Sequence, residues 1–291
     1  MATPKRKTPI RNRYVKRLAD VNDQFCYYLF IREEFKKKLS GTIRIDSEAY
    51  TTEAFPDNQY AAGIKIMINK LPAFEDENKT LNFGTYFSFS YELLAGYIED
   101  LMELIAEISS VSLTAKEKKK DLEQQLELII QKCGHGVPDA SLFNTIKYCR
   151  LRRNYFIHDL DTLNTKFLDA LNNKGPITKA YWGSVASKID FTSHDVGNFD
   201  IDETIELFKV IKILVERIDL FVGGILENQS IARFLSKRIF SQPVKINQIV
   251  IEGRMAKLKT QAKMDFGVVL TKIDMEHSVT TIGKKIVSIR G

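Results

Sequence analysis

The chain has 291 residues, of which 44% are hydrophobic and 27% are charged, with only 15 Gly and 7 Pro. This composition is typical of a soluble globular protein and excludes a collagen-like, low-complexity or largely disordered chain. The net charge of +6 is uneven, because residues 1–17 carry seven basic and no acidic side chains and residues 241–291 carry nine basic and four acidic ones. We expect these ends to attract a bound polyanion, with a role in solubility alone as the alternative.

Cysteine usage and hydropathy indicate the compartment. Cys26, Cys133 and Cys149 are odd in number and lack C-x-x-C spacing, which argues against disulfides and a zinc knuckle and fits a reducing cytoplasm. The basic N-terminus leads into no apolar stretch, so it predicts neither a secretory signal nor an anchor. The most apolar segment, 210–226, carries four charged residues that bilayer insertion would disfavour. We expect a cytoplasmic protein without a membrane span.

The first part of the chain combines helical and mixed patterns. Residues 14–39 predict a helix, whereas residues 41–83 mix turns with the strand-like pieces TIRI and IKIMI. Residues 91–111 carry apolar side chains at alternating four and three spacing, namely Leu94, Ile98, Leu101, Ile105 and Ile108. This stripe predicts a core helix.

Two more helices are predicted in the middle of the chain. Thr114 and Glu117 have capping-box spacing, so a helix is expected from there to about Cys133, before Gly134 and Pro138. Asp139 or Ser141 can cap the next helix, which reaches about residue 160.

The rest of the chain predicts one long helix between less regular segments. Residues 172–200 read as a long irregular segment, and 202–227 as a helix whose four-three apolar seam is buried on several sides or pairs with another chain. Residues 229–240 are helical, and the pattern of 241–291 is ambiguous.

The helix that precedes the irregular segment carries the string RNYFIH, in which four residues separate Arg153 from His158. At about 100° per residue, Asn154 and His158 lie on the polar arc. Arg153 instead falls on the apolar arc of Leu142, Ile146, Cys149, Phe156 and Leu160. Burying an unpaired guanidinium costs free energy, so the Arg153 side chain has three possible environments. It can form an ion pair with Glu99, Glu103 or Glu216, or it can extend along the apolar surface to solvent. The third possibility, which we favour, is that it lines an anion pocket.

The R-N-x-x-x-H pattern on the third of four core helices resembles the HEPN superfamily, and the resemblance covers roughly residues 85–240. It implies a mainly α fold with a HEPN-like four-helix core and terminal extensions with room for short strands. The corresponding domains are an N-terminal extension over 1–84, the helical domain over 85–240 and a basic C-terminal extension over 241–291.

In HEPN proteins, two protomers usually join their R-x(4–6)-H motifs at a dimer interface and cut RNA without metal. The resemblance implies that His158 transfers a proton and that Arg153 binds the scissile phosphate. It also implies that Asn154 orients either the imidazole or the phosphate. Residues five apart on a helix diverge by about 140°, so a bend or a second copy must complete the site, and we expect a homodimer with a composite active site. Arg152 also fits the permitted spacing and is the second choice.

Further RNA contacts are expected outside the motif. The irregular segment mixes aromatic and basic residues suited to stacking bases beside phosphates, and we assign RNA binding to Lys179, Trp182, Lys188 and also Arg152. The alternative is that the Trp plugs into the bundle. HEPN proteins silenced by tyrosine modification carry a Tyr two residues after the His, where this chain has Leu160, so that regulation is not expected.

The function expected from the resemblance is a metal-independent endoribonuclease in a toxin–antitoxin or anti-phage system, without a cofactor and with a neutralising or regulatory protein partner. Cys133 and His135 lack further ligands at recognisable spacing, so no metal site is expected. The alternatives are an inactive helical module that binds RNA, a nucleotide or a protein partner, and a purely structural helical dimer.

Overall fold

A computed structural model describes residues 6–158, 162–240, 242, 244 and 246–282, and their fold is mainly α, as predicted. The helices are α1 (Arg11–Ile45), α2 (Thr51–Ala54), α3 (Ala61–Ile64), α4 (Leu71–Ser109), α5 (Leu122–Lys132), α6 (Ala140–His158), α7 (Thr165–Asp169), α8 (Gly175–Trp182), α9 (Ile201–Ile225), α10 (Asn228–Ile239), α11 (Gln248–Phe266) and α12 (Lys272–Thr281). The long helices expected around 14–39, 91–111 and 202–227 are confirmed, and the helix expected to reach about residue 160 is present up to His158, the last described residue before 162.

The chain divides into two compact units whose segments interleave in sequence. Unit 1 comprises Met1–Val15, Leu93–Ile146 and Lys212–Gly291, and unit 2 comprises Lys16–Glu92 and Lys147–Ile211. The division into three consecutive ranges, 1–84, 85–240 and 241–291, stays a prediction.

Unit 1 has a core built on the apolar stripe of α4. The predicted core residues Leu94, Ile98, Leu101, Ile105 and Ile108 are all buried. The N-terminal segment joins this core, because Asp219 of α9 accepts hydrogen bonds from the backbone N–H of Thr8 at 3.0 Å and from the hydroxyls of Thr8 and Tyr97. A buried carboxylate with these partners fixes the N-terminal segment to α9.

Unit 2 is organised around Phe25 of α1. Its ring packs edge-on against Phe83 and Tyr86 of α4 and Phe208 of α9, with centroid distances of 4.9, 5.4 and 5.2 Å. Such aromatic contacts add to the hydrophobic burial that holds the helices together. An ion pair between Arg32 of α1 and Glu75 of α4 links the same two helices.

The strand-like pieces of residues 41–83 do not form strands, which corrects the sequence interpretation. TIRI is the last turn of α1, because Ile43 packs beside Leu39 on the same helix face in a small apolar cluster. IKIMI begins in α3 and continues to a single antiparallel bridge between Tyr50 and Met67. The part of the chain that the structure describes contains no regular strand.

Two helix predictions also change. Thr114 and Glu117 form their reciprocal hydrogen bonds, but these bonds start only a short 3₁₀ turn, and α5 begins at Leu122. The segment 172–200 is less irregular than expected, since it contains α8 together with π- and 3₁₀-helical turns. Short helices of this kind depend on tertiary packing, which sequence periodicity does not report.

The apolar seam of α9 packs mostly within the core of the same chain. Leu207, Ile211, Leu214 and Ile218 are fully buried, whereas Phe221 and Ile225 are partly buried, so burial within the chain accounts for the first four positions of the pattern. The ambiguous region 241–291 contains α11 and α12. No helix formed by the described residues combines the length and the hydropathy that crossing a bilayer requires.

Candidate functional site

The motif lies on the last turns of α6, and a close helix contact holds these turns in unit 2. Asp139 caps α6, because its side chain accepts a hydrogen bond from the N–H of Ser141 at 2.8 Å. Gly84 of α4 lets the ring of Phe156 approach so closely that a Cβ there would lie 2.2 Å from a ring carbon. Phe156 also packs edge-on against Phe199 at 5.7 Å. The packing of Phe156 therefore fixes the position of the neighbouring motif residues.

Arg152, the second-choice arginine, is a structural residue. Its side chain is 1% exposed, and both terminal nitrogens bond the carboxylate of Glu203, at 2.6 and 2.9 Å. Arg152 also contacts the Tyr148 hydroxyl, the Val196 and Asn198 carbonyls and the Phe199 ring. Although burial opposes the shift, Tyr148 and Glu203 raise the pKa of Arg152, and burial raises the pKa of Tyr148 to about 12. The assignment of Arg152 to RNA binding is corrected, because its donors are occupied and inaccessible.

Arg153 is less buried than its predicted arc implied. Its side chain is 25% exposed and pairs with Glu92 of α4 at 2.7 Å. The ion-pair alternative is therefore correct in kind, but the partner is neither Glu99, Glu103 nor Glu216. Arg152 is the fully buried charge because the segment Val196–Glu203 covers its side of α6. Leu160, expected beside Arg153, lies outside the described residues.

Arg153 also contacts the next motif residue. Its Nη1 donates a hydrogen bond to Oδ1 of Asn154 at 3.1 Å, and its Nε is buried without a partner among the described residues. Asn154 precedes His158 by four residues, so the two share a helix face, as the polar arc predicted. His158 ends α6 and is exposed. Asn154 thus connects the arginine side of the motif to the face that carries the imidazole.

Some of the RNA contacts predicted in the segment 172–200 are accessible to solvent and one is not. Trp182 is 1% exposed, which matches the alternative that it plugs into the bundle and corrects its assignment to base stacking. Lys179 and Lys188 are exposed. Lys179 forms an ion pair with Asp190 at 3.1 Å, and the backbone N–H of Lys188 bonds Glu206. Only the two lysines remain accessible to a phosphate.

The basic N-terminal arm binds within unit 1. Arg6 donates hydrogen bonds to the carbonyls of Gly223, Gly224 and Leu226 near the end of α9 and to Asn228. Arg11 pairs with Glu216 at 3.2 Å, and Arg13 pairs with Asp100. Residues 1–5 of the arm lie outside the described residues. The described arginines therefore support the fold as well as adding charge.

Cys133 and His135 share a small cavity in unit 1. It has a volume of about 170 Å³, and Glu227 also lines it. Burial raises the pKa of the Cys133 thiol, which disfavours a reactive thiolate. Within residues 6–158, 162–240 and 246–282, no three His, Cys, Asp or Glu side chains are arranged to hold a metal ion.

Sequence reasoning missed the two carboxylates that distinguish the neighbouring arginines. Glu203 follows Asp200 in the first turn of α9, and Glu92 is one of several acidic residues along α4. Neither has a spacing that points to α6, since both contacts depend on how the helices pack. No family model matches the chain, and neither a curated protein nor a solved structure is detectably similar to it.

Proposed function

We propose that this protein is a metal-independent endoribonuclease of HEPN type whose site contains Arg153, Asn154 and His158. The observation that supports the proposal most is the hydrogen bond from Arg153 to Asn154, one turn before the exposed His158. It directs the guanidinium toward the face that carries the imidazole. The buried Arg152 has a separate structural role, so Arg153 is the arginine assigned to the phosphate.

The proposed reaction is transesterification at a ribose 2′-hydroxyl. A general base removes the 2′-hydroxyl proton, the 2′-oxygen forms a bond to phosphorus, and the bond from phosphorus to the 5′-oxygen breaks as that oxygen gains a proton. The products are a 2′,3′-cyclic phosphate and a 5′-hydroxyl. His158 can serve as base or acid because imidazole titrates near neutral pH. Arg153 can stabilise the additional negative charge on the phosphate.

In the absence of RNA, Glu92 forms an ion pair with the guanidinium of Arg153. The Arg153 and Glu92 side chains are 25% and 49% exposed, and an ion pair that reaches solvent contributes only about 0–1 kcal/mol. A phosphate can therefore replace the carboxylate at Arg153 at little energetic cost. Glu92 is assigned as a competitor that keeps the anion site closed until a polyanion arrives.

The proposal includes a composite site and a cellular role. Because the reaction needs both a base and an acid and one motif carries a single imidazole, a second copy of the motif supplies the second proton-transfer group. The HEPN resemblance supports a place in a toxin–antitoxin or anti-phage system in the cytoplasm, with a protein partner that neutralises the enzyme.

Cleavage of a defined single-stranded RNA in EDTA tests the proposal. Wild-type protein should cut the RNA and leave 2′,3′-cyclic phosphate ends, whereas His158→Ala should lose about 10²–10⁴-fold in rate while melting as the wild type does. His135→Ala is the matched control, because it removes an imidazole elsewhere in the chain. RNA binding without cleavage would favour the inactive binding module, and cleavage by a well-folded His158→Ala would contradict the assigned site.

A further inference from the structure

A groove between α1 and α4 lies entirely within unit 2. It has a volume of about 370 Å³, within the range of small-molecule sites, and its lining residues are Arg17, Asp20, Val21, Gln24, Tyr86 and Phe89. Val21 is buried beneath the groove, whereas the Phe89 side chain is 50% exposed. The groove therefore offers one accessible aromatic ring above an apolar base.

The two walls of the groove differ in chemistry. The α4 wall is aromatic, and the Tyr86 hydroxyl donates a hydrogen bond to the backbone carbonyl of Gln24 at 3.5 Å. The α1 wall is polar, because Arg17, Asp20 and Gln24 are exposed and lie three and four residues apart on one helix face. Within the described residues, neither the Asp20 carboxylate nor the Gln24 amide has a hydrogen-bond partner. A planar ligand stacked on Phe89 would thus present its edge to free hydrogen-bonding groups.

The groove continues to the proposed phosphate site. Phe89 precedes Glu92 by three residues on α4, so their Cβ atoms are about 5–6 Å apart. The Glu92 carboxylate in turn pairs with Arg153 at 2.7 Å. An RNA phosphate that replaces this carboxylate at Arg153 would therefore lie close enough to Phe89 for a neighbouring base to reach the ring.

We infer that the groove binds a guanine base next to the phosphate bound by Arg153, an inference that rests on the proposed function. Aromatic side chains stack the unpaired bases of single-stranded RNA, and hydrogen bonds to the base edge then select among them. Phe89 provides the stacking surface. Asp20, on the opposite wall, is an acceptor with two oxygens and matches the adjacent N1–H and N2–H groups of guanine. Gln24, one turn away, donates its amide N–H to guanine O6.

The polar wall distinguishes guanine from the other bases. Guanine presents two adjacent N–H donors on its Watson–Crick edge, whereas adenine and cytosine each place a ring-nitrogen acceptor beside a single amino group. Uracil has one N–H between two carbonyl groups. In these three bases an acceptor would face the Asp20 carboxylate, which leaves a polar group unpaired. The positive charge of Arg17 offsets the repulsion between Asp20 and the RNA backbone.

Fluorescence anisotropy with labelled 2′-O-methyl RNA pentamers, which this mechanism cannot cut, tests the inference. A uridine pentamer with a central guanosine should bind about tenfold more tightly than one with a central adenosine. Inosine lacks only the N2 amino group and should give an intermediate affinity. Asp20→Asn should abolish the preference, because an amide has one acceptor oxygen. Phe89→Ala should weaken binding of the guanosine pentamer about tenfold, since the stacking surface is lost.

Matched substitutions control for charge and apolar area. Asp23→Asn removes the same charge from an exposed position of α1 outside the groove. Phe74→Ala removes a ring that is 53% exposed on α4, also outside the groove. Both variants should keep the wild-type affinity and preference. Equal affinity for the three pentamers, no detectable binding, or an unchanged preference in Asp20→Asn would overturn the inference.

Cleavage of a defined RNA separates this inference from the proposed function. If the wild-type protein cuts RNA but binds all three pentamers equally, the guanine site is wrong and the ribonuclease proposal stands. If it prefers the guanosine pentamer in a manner that depends on Asp20 and cuts no RNA, the guanine site stands and the ribonuclease proposal is wrong.

Discussion

Arg152 and Glu203 form a two-point ion pair, in which each terminal nitrogen of the guanidinium bonds one carboxylate oxygen, at 2.6 and 2.9 Å. The pair joins α6 to the first turn of α9 inside unit 2. Its neighbour Arg153 uses a half-exposed carboxylate instead. Two adjacent arginines therefore have different roles, because the chain covers Arg152 completely whereas Arg153 reaches solvent.

The buried pair predicts a large loss of stability when one partner is removed. Glu203→Gln leaves the Arg152 charge buried without a counter-charge, and we expect the free energy of unfolding to fall by about 3–5 kcal/mol. Urea unfolding followed by circular dichroism measures this change. Lys179→Ala breaks the exposed pair with Asp190 and should lower stability by less than about 1 kcal/mol. If the two substitutions lowered the free energy of unfolding equally, the buried pair would contribute no more to stability than the exposed one.

Gly84→Ala should weaken the contact between α4 and α6. The added Cβ would lie 2.2–2.6 Å from three ring atoms of Phe156, and a ring packed against Phe199 can move only by disturbing its neighbours. Overpacking of this kind lowers the free energy of unfolding by about 1–3 kcal/mol. Gly63→Ala is the control, because nothing lies within 4 Å of its added Cβ. A wild-type melting temperature for Gly84→Ala would contradict the close approach.

Glu92→Gln should release the guanidinium of Arg153 with little effect on folding. Glu92 is half-exposed and can be solvated without its partner, so its substitution should change the free energy of unfolding by only about 1 kcal/mol. If Glu92 competes with phosphate, RNA should bind several-fold more tightly, and fluorescence anisotropy with a labelled RNA measures this. Glu99→Gln is the control, since Glu99 is an exposed acidic residue of the same helix. Weaker RNA binding by Glu92→Gln would instead assign Glu92 to holding Arg153 in position.

Asp219 predicts a pH dependence of unit 1. Burial raises the pKa of the Asp219 carboxyl above its ordinary value, although hydrogen bonds from Thr8 and Tyr97 oppose the shift. The folded chain therefore binds this proton more strongly than the unfolded chain does. The resulting stabilisation is fully present below about pH 4, near the unfolded pKa. It is lost as the pH rises through the raised folded-state pKa.

Asp219→Asn isolates this effect, since an amide does not titrate. Urea unfolding of both proteins at a series of pH values should show the wild type losing stability relative to the variant as the pH rises above about 4. The difference should become constant once Asp219 is ionised in the folded state. A difference that is independent of pH would contradict the raised pKa.

Deleting residues 1–17 should lower stability as well as RNA affinity. The deletion removes seven basic residues, so fewer phosphates are neutralised and the salt dependence of RNA binding should flatten. It also removes the contacts of Arg6 with the end of α9 and of Thr8 with Asp219. Arg6→Ala separates the loss of stability from the loss of charge. It should lower the melting temperature while removing only one of the seven basic residues, so the salt dependence of RNA binding should change little. An unchanged salt dependence after the deletion would exclude the arm as an RNA contact.

The sequence by itself determined the long helices and the polar face of the motif. The four-three spacing of Leu94, Ile98 and Leu101 defines one face of α4, and such periodicity depends only on residues near in sequence. The same reasoning placed Asn154 and His158 on a polar arc, and neither is buried. The capping contacts of Asp139 are equally local.

Tertiary structure alone decided which arginine of α6 is buried. Arg152 and Arg153 are adjacent, and their predicted arcs differ by a single helical step, so the outcome depends on which side the segment Val196–Glu203 covers. Packing likewise made α8 helical, made TIRI the end of α1 and buried the first four positions of the α9 seam within the chain. These outcomes depend on contacts between residues far apart in sequence, because short segments and charged side chains take the state that their surroundings stabilise.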